Sequence, residues 1–168
     1  MFRPAGVSTD TKLPVVAYIY GGGFSTGDAS LFNASALVSR SVQLGDPVIY
    51  VSFNYRVNGF GFLAGKEVKD AGVANLGIHD RECEEEYLAR ALISFLSPAE
   101  RMALAWIREF IDSFGGDPDK VTLWGQSAGS LSITTHLATH PDRDDTPFRG
   151  VMMVSCKFEP KKRNTLSS

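Results

Sequence analysis

One stretch of the sequence, VTLWGQSAGSLSITTHLATH (121–140), limits the possible folds more than any other. Residues 121–125 are apolar and partly β-branched, which predicts a buried strand, and residues 128–140 can form a helix. Only Gln126 and Ser127 separate the two elements, so the chain must pass from strand to helix in a tight turn. Small residues are needed on both sides of such a turn, because the backbone is crowded and a Cβ atom would clash.

The turn carries the pattern Gly-x-Ser-x-Gly over residues 125–129, between the predicted strand and the predicted helix. This context is typical of a nucleophile elbow, in which the serine hydroxyl stands above the end of the sheet. We therefore expect Ser127 to be a nucleophile. The backbone N–H of Ala128 is expected at the start of the helix, where the helix dipole favours negative charge. The alternative is a glycine-rich turn with an incidental serine, and the strand–helix context argues against it.

The rest of the sequence alternates further apolar runs with helical patterns. Buried strands are predicted at 13–20, 47–55 and 150–155, and helices at 33–44 and 102–114. Short buried strands that alternate with helices are typical of a parallel sheet covered on both faces, so the predicted class is α/β. Within the second of these helices, helical spacing puts five residues on one predicted buried face: Ala103, Trp106, Ile107, Phe110 and Ile111.

The composition fits one globular domain and argues against several kinds of partner. The 168 residues are 43% hydrophobic and carry a formal net charge of −2, with no basic block beyond residues 161–163, which argues against nucleic acid. No apolar run is long enough for an integral membrane segment, and residues 1–12 contain no signal-peptide core. Cys83 and Cys156 allow at most one disulfide and do not have the spacing of metal ligands, so we expect no metal site.

Three glycines, Gly21–Gly23, directly follow the first predicted strand. Glycine lets backbone N–H groups approach a developing oxyanion closely. In folds with a nucleophile elbow, the loop after a strand in this position supplies oxyanion-hole donors. Taken alone, three glycines more often form a flexible turn, and their position ahead of the elbow favours the catalytic interpretation.

The segment FGGDPDKVTLWGQSAG (114–129) resembles the active-serine signature of type-B carboxylesterases and lipases, the cholinesterase-like branch of the α/β-hydrolases. Tyr20, just before the glycines, supports this branch, because the hormone-sensitive-lipase branch usually has histidine there. The similarity is greatest to fungal lipases and esterases. Further segments resemble the family in the family's own order: 18–24, 52–57, 59–63, 75–80 and 148–155.

The resemblance implies a partial α/β-hydrolase fold with about four central parallel strands and flanking helices, in the strand order second–first–third–fourth. It implies that Ser127 is the catalytic nucleophile and that Gly22, Gly23 and Ala128 donate to the oxyanion. The implied reaction is hydrolysis of small-molecule or lipid carboxylic esters through an acyl-enzyme, without a cofactor. Full-length members of this family are often secreted.

The sequence departs from the family where the partners of Ser127 are expected. In this fold the acidic residue and the histidine of the triad follow the serine along the chain. His136 and His140 lie on the helix that follows Ser127, too far along it to act as the base, and both are interpreted as surface residues. His79 precedes the serine, and its family counterpart is structural. We therefore expect the catalytic histidine and acidic residue to be absent from this chain.

The strands that open the family's sheet are also expected to be missing, which would leave both outer strands without neighbours and favour self-association. Three functions are compatible with such a fragment. It is part of a carboxylic-ester hydrolase, a catalytically inactive product or interaction module of the same superfamily, or a minimal hydrolase that uses His136, His140 or an external base.

An insertion at 81–100 interrupts the family motif that NLGIHD (75–80) begins and RMALAWI (101–107) continues. One interpretation is a helical hairpin, in which Ser97–Glu100 forms a capping box with proline at the first helical position. The other interpretation is a retained intron. Possible codons at the two ends of the insertion contain splice-site sequences, and joining them restores a glutamine and the family motif.

The end of the sequence has a similar feature, because possible codons at 156–158 contain another splice donor. Read-through of a second intron would explain the polar ending, and a true short isoform with a charged tail is the alternative. We expect residues 1–155 to form the partial hydrolase domain and residues 156–168 to be an unrelated tail.

Overall fold

A computed structural model describes residues 1–8, 10–62, 98–139 and 146–155. In these ranges four strands form one sheet, in the order β2-β1-β3-β4, and every neighbouring pair is parallel. This is the strand order expected from the sequence. The strands are β1 (Leu13–Ile19), β2 (Ile49–Ser52), β3 (Gly116–Gln126) and β4 (Gly150–Val154).

Four α-helices connect or flank the described strands. They are α1 (Ser35–Gln43), α2 (Gly59–Phe62), α3 (Pro98–Phe110) and α4 (Ala128–Thr139). Single 3₁₀ turns lie at Ala29–Leu31 and at Ile111–Phe114, the latter continuing α3. None of the helices in the described ranges has both the length and the apolar composition needed to cross a bilayer.

Two of the predicted strands differ clearly in length from the observed ones. The strand predicted at 47–55 is only four residues long, whereas the strand predicted at 121–125 begins at Gly116. The early start has a tertiary cause, because Leu13 at the beginning of β1 pairs with Gly116 and its N–H donates to Gly115 O at 2.9 Å. Pairing with β1 therefore extends β3 into a polar segment that its own composition does not predict.

The main core lies between one face of the sheet and α3, the following 3₁₀ turn and α4. Val15, Ala17 and Ile19 of β1 are fully buried on this face, and their β3 partners include Val121 and Leu123. The helices contribute Leu104, Ile107, Ile111 and Ile133. Full burial of each aliphatic side chain of this size contributes about 1.5–3 kcal/mol, so this layer contributes strongly to the stability of the sheet.

The predicted buried face of α3 is partly wrong. Ile107 and Ile111 are buried as expected, but Trp106 and Phe110 are 40% and 42% exposed, and Leu104 takes the inner position instead. The two exposed rings contact each other at 5.9 Å between centroids. The helix carries two adjacent apolar stripes, and helical spacing alone does not decide which of them faces the sheet.

The opposite face of the sheet is largely aromatic. Tyr18 of β1 packs against Tyr50 of β2 and Trp124 of β3, with ring centroids 5.9 Å and 5.0 Å apart. Phe32, just before α1, covers Tyr18 at 4.9 Å. β1 is an inner strand of the sheet and is covered on both faces, so its carboxyl end is a fixed starting point for the loop that follows.

The two edges of the sheet differ. The expectation that both outer strands lack neighbours is wrong for β2, because Phe2 forms an antiparallel bridge with Tyr50. The N–H of each residue donates to the carbonyl of the other, at 2.8 and 2.9 Å. At the other edge, Met152, Met153 and Val154 of β4 are each more than two fifths exposed, although their side chains are apolar.

Candidate active site

Ser127 lies in the turn between β3 and α4, as the sequence predicts. Its φ of 53° is in the left-handed region, which few non-glycine residues adopt, so the surrounding contacts must hold it there. Its N–H donates to Val154 O at 2.9 Å, and its carbonyl accepts from the N–H of Ser130 at 2.8 Å. The side chain is partly exposed at the carboxyl ends of the strands, which suits a nucleophile that must meet a substrate.

The glycines on either side of the turn are required by close backbone contacts. A Cβ atom on Gly129 would overlap the carbonyl oxygen of Ile19 and lie 2.8 Å from its carbon. A Cβ atom on Gly125 would lie 2.5 Å from the carbonyl of Gly129. The start of α4 therefore rests directly on the end of β1, and Ala128, 2% exposed, is held at the first position of the helix.

Ser130 strengthens the turn in a way that the sequence pattern does not reveal. Its fully buried hydroxyl donates to Gly125 O at 2.7 Å, with Val154 O within range at 3.0 Å, and accepts from the N–H of Val154 at 3.1 Å. One side chain thus joins the end of β3, the end of β4 and the first turn of α4. The serine directly after the Gly-x-Ser-x-Gly motif was the only sequence signal.

The glycine loop begins beside Ser127. Gly125 pairs with Ile19, so the ends of β3 and β1 lie side by side, and the next positions are close enough that a Cβ on Gly21 would lie 3.0 Å from Ser127 Cβ. Gly22 and Gly23 follow at the surface with φ of 124° and 62°. The fold therefore brings the glycine loop and the elbow together at one end of the sheet.

The loop closes on itself after the glycines. Gly22 O accepts from the N–H groups of Ser25 and Thr26, at 3.1 and 3.2 Å. Gly27, which the sequence analysis did not single out, has φ of 133° and sits against the Tyr20 ring, where any Cβ would overlap ring carbons. The compact turn over residues 22–27 is therefore defined by backbone geometry as well as by the three consecutive glycines.

His136 corrects one expectation. It is 1% exposed and therefore not a surface residue, and its ring packs edge-on against Phe148 at 6.5 Å. Its burial follows from the helix spacing, because Ser132 and Ile133, one turn earlier on α4, are also fully buried. About two and a half helical turns separate it from Ser127, or about 13 Å along the axis. His79, His140, Cys83 and Cys156 lie outside the described residues.

A buried acidic residue lies beneath the site. Glu100 is 1% exposed, and its Oε1 accepts from the Ser132 hydroxyl at 2.9 Å, which ties α3 to α4. Pro98 begins α3, as the predicted capping box requires, while the backbone of Ser97 lies outside the described residues. Within the ranges described, no group of three or more histidine, cysteine, aspartate or glutamate residues could hold a metal ion.

Comparison with known proteins agrees with this geometry. The sequence profile of the carboxylesterase family matches residues 1–83 and 100–162. The chain belongs to the carboxylesterase family. The four-stranded parallel sheet with the serine turn after β3 is accordingly part of an α/β-hydrolase fold.

Several curated relatives of this carboxylesterase-family chain are fungal. It is 39% identical over 162 residues to the secreted triacylglycerol lipase LIP1 of Gibberella zeae, covering 94% of the chain and 24% of the relative. It is 42% identical over 160 residues to lipase 2 of Diutina rugosa, covering 92% and 26%. The inactive carboxylesterase-like protein VdtD of Byssochlamys spectabilis is 34% identical over 155 residues, covering 91% and 23%. The chain thus spans about a quarter of the length of these relatives.

Solved structures lead to the same fold. The crystal structure of Aspergillus niger EstA superimposes with a TM-score of 0.66 and 31% identity, over 89% of this chain and 25% of that one. A PNB esterase gives a TM-score of 0.58 and 34% identity, over 86% and 26%.

Proposed function

We propose that the protein containing this carboxylesterase-family chain is a serine carboxylic-ester hydrolase in which Ser127 is the nucleophile. The main support for this proposal is the geometry of the turn. Ser127, a non-glycine residue with φ of 53°, lies between β3 and α4 and beside the start of the glycine loop. Relatives named as lipases share the segment, and they support small-molecule or lipid esters as the substrate class.

In the proposed reaction, Ser127 Oγ attacks the ester carbonyl carbon and its proton passes to a histidine base. Backbone N–H groups of Gly22, Gly23 and Ala128 donate to the resulting oxyanion. The intermediate collapses to the acyl-enzyme, and the leaving alcohol takes the proton from the histidine. Water, deprotonated by the same base, then attacks the acyl carbon. Collapse of this second intermediate releases the acid, and Ser127 Oγ takes its proton back from the histidine.

The base is proposed to come from outside the described residues. His136 is the one histidine within them, and its buried position along α4 places it far from the serine hydroxyl. The relatives are about four times longer than the aligned segment, which leaves ample chain for the acid and the histidine of the triad. We therefore propose that the minimal hydrolase built on His136 is not the active form.

The test is active-site labelling of the full-length protein with a fluorophosphonate, followed by peptide mapping. We expect the label on Ser127. We also expect Ser127→Ala to abolish labelling and to lower hydrolysis of a p-nitrophenyl ester by more than about a thousandfold. Ser39→Ala, at an exposed serine of α1, is the matched control and keeps wild-type activity. Labelling at another residue, or hydrolysis that persists in Ser127→Ala, contradicts the proposal.

A non-catalytic role in the same superfamily is the second candidate. It is favoured by one relative, which is named an inactive carboxylesterase-like protein and is 34% identical. Folded full-length protein that neither reacts with fluorophosphonate nor hydrolyses esters would support it over the hydrolase.

We further propose that residues 81–100 interrupt the domain 1–155 and that 156–168 form a separate tail. The family profile supports the interruption, since its two matched segments leave out residues 84–99. The genomic sequence across both regions tests the intron interpretation: GT and AG at the predicted joints support it, and their absence contradicts it. We also propose that the exposed edge at β4 self-associates, which concentration-dependent light scattering of the 168-residue chain would detect.

A further inference from the structure

The loop between β2 and α2 contacts the glycine loop and its flanking residues (20–29) at three points. At the start of residues 20–29, Tyr20 O accepts from the Tyr55 hydroxyl at 2.8 Å. In the middle, Phe24 O accepts from the N–H of Asn58 at 2.7 Å. At the end, the N–H of Ala29 donates to Asn54 Oδ1 at 2.8 Å. Residues 54–58 therefore hold the beginning, middle and end of the segment proposed to bind the oxyanion.

Tyr55 makes the most extensive of these contacts. Its ring stacks on that of Tyr20, with centroids 4.4 Å apart and planes 18° apart. The Tyr20 hydroxyl in turn donates to Tyr55 O at 3.2 Å and accepts from the N–H of Tyr55 at 3.3 Å. The two residues thus form a closed pair in which each side chain hydrogen-bonds the backbone of the other, and both are buried.

The orientation of the Tyr20 carbonyl determines how the glycine loop begins, because the carbonyl belongs to the same planar peptide as the N–H of Gly21. On one side it accepts from Tyr55, and on the other it lies against the first turn of α4, where a Cβ on Gly129 would be 3.0 Å away. A rotation of this peptide would therefore move the glycine loop relative to Ser127. Burial, with a further contribution from the nearby Glu100 carboxylate, raises the pKa of Tyr55, which keeps its hydroxyl protonated as a donor.

We propose that Tyr55 is a positioning residue for the oxyanion hole: its hydroxyl fixes the Tyr20–Gly21 peptide and so sets the glycine loop against Ser127. The inference rests on the proposed function, and it goes beyond it because no contact of Tyr55 with substrate is involved. Tyr55 lies in the loop after β2, where no sequence pattern indicates a functional role.

The test is Tyr55→Phe in the full-length protein, with Tyr18→Phe as the matched control. Tyr18, in β1, is buried like Tyr55, but its hydroxyl makes none of the contacts described above. We expect Tyr55→Phe to lower kcat per labelled active site by about tenfold with KM within about twofold, because misplaced oxyanion donors weaken transition-state binding. We also expect faster hydrogen exchange of the amides of residues 21–27 and unchanged exchange in α4. Tyr18→Phe should change neither quantity.

The two measurements separate the possible failures. Wild-type exchange at 21–27 in Tyr55→Phe overturns the inference, whatever the activity. Faster exchange there with unchanged kcat per labelled site also overturns it, because the contact is then only structural. Absence of Ser127 labelling in the wild-type protein refutes the proposed function instead, and it removes the catalytic role assigned to Tyr55.

Discussion

Replacement of Gly129 by alanine tests whether the elbow depends on direct contact between α4 and β1. The added methyl group would overlap the carbonyl oxygen of Ile19 and lie 2.8 Å from its carbon and 3.0 Å from Tyr20 O. All three are backbone atoms at or directly after the end of β1, which pairs with a neighbour on each side, so no side-chain rotation relieves the overlap.

The expected size of the effect follows from the distance that must be restored. Carbon and oxygen atoms need a separation of about 3.5 Å, so the first turn of α4 must withdraw by roughly 1 Å. Overpacking of this kind costs about 1–3 kcal/mol, and we expect a value near 3 kcal/mol because both partners are backbone. The same movement displaces Ser127 and Ala128 from the glycine loop, and a misplacement of about 1 Å can lower kcat about a hundredfold.

Urea unfolding and ester hydrolysis of the full-length protein measure both consequences. Gly59→Ala is the control, because nothing lies within 4 Å of its Cβ position and its φ is not positive, so its stability should stay within about 0.5 kcal/mol of wild type. If Gly129→Ala shows the urea midpoint and kcat of this control, the close contact between α4 and β1 does not exist and the geometric account of the elbow is wrong.

Two further substitutions probe one contact near the site and one at the opposite end of β3. Ser132→Ala should lower the free energy of unfolding at pH 7 by about 1–3 kcal/mol, because it removes the buried hydrogen bond that the Ser132 hydroxyl donates to Glu100; an unchanged urea midpoint would show that this contact between α3 and α4 adds no stability. Asp117 accepts from Lys120 at 2.7 Å and from the N–H of Asp119 at 3.0 Å, and Lys120 foremost holds its pKa below the ordinary value of 3.8. A pKa that is lower in the folded protein stabilises the fold at pH values above 3.8, and this stabilisation is lost as the pH falls through the folded-state pKa. Asp117→Asn should therefore lower the free energy of unfolding by less than about 1 kcal/mol at pH 7, and by a smaller amount at pH 3. A difference that is equal at both pH values would contradict the assignment.

The features that could be predicted from the sequence are those with short-range causes. The turn at Ser127 was predicted because an apolar strand, two residues and a helix leave the chain only one kind of path. The α/β class followed from the alternation of buried strands and helical patterns, and the order of the four strands came from the family resemblance. The core positions in β1 were equally predictable, because a central parallel strand is apolar throughout.

The incorrect or missing predictions concern packing between distant segments. The inner face of α3, the burial of His136 and the early start of β3 all depend on which surface another element presents. Phe2 likewise pairs with Tyr50 across a separation that no local pattern records. The sequence pattern gives Glu100 only the role of a capping residue, and its contact with Ser132 exists only because α3 and α4 meet.

By itself, therefore, the sequence determined the position of the serine turn, the glycines beside it and the class of fold, because steric limits and periodicity act over a few residues. The tertiary structure alone decided how this turn is held. Val154 reaches Ser130 from 24 residues away, and Tyr55 reaches Tyr20 from 35 residues away. Such contacts depend on the order and register of the sheet, which bring the ends of separate strands together, and so they form only when the whole sheet does.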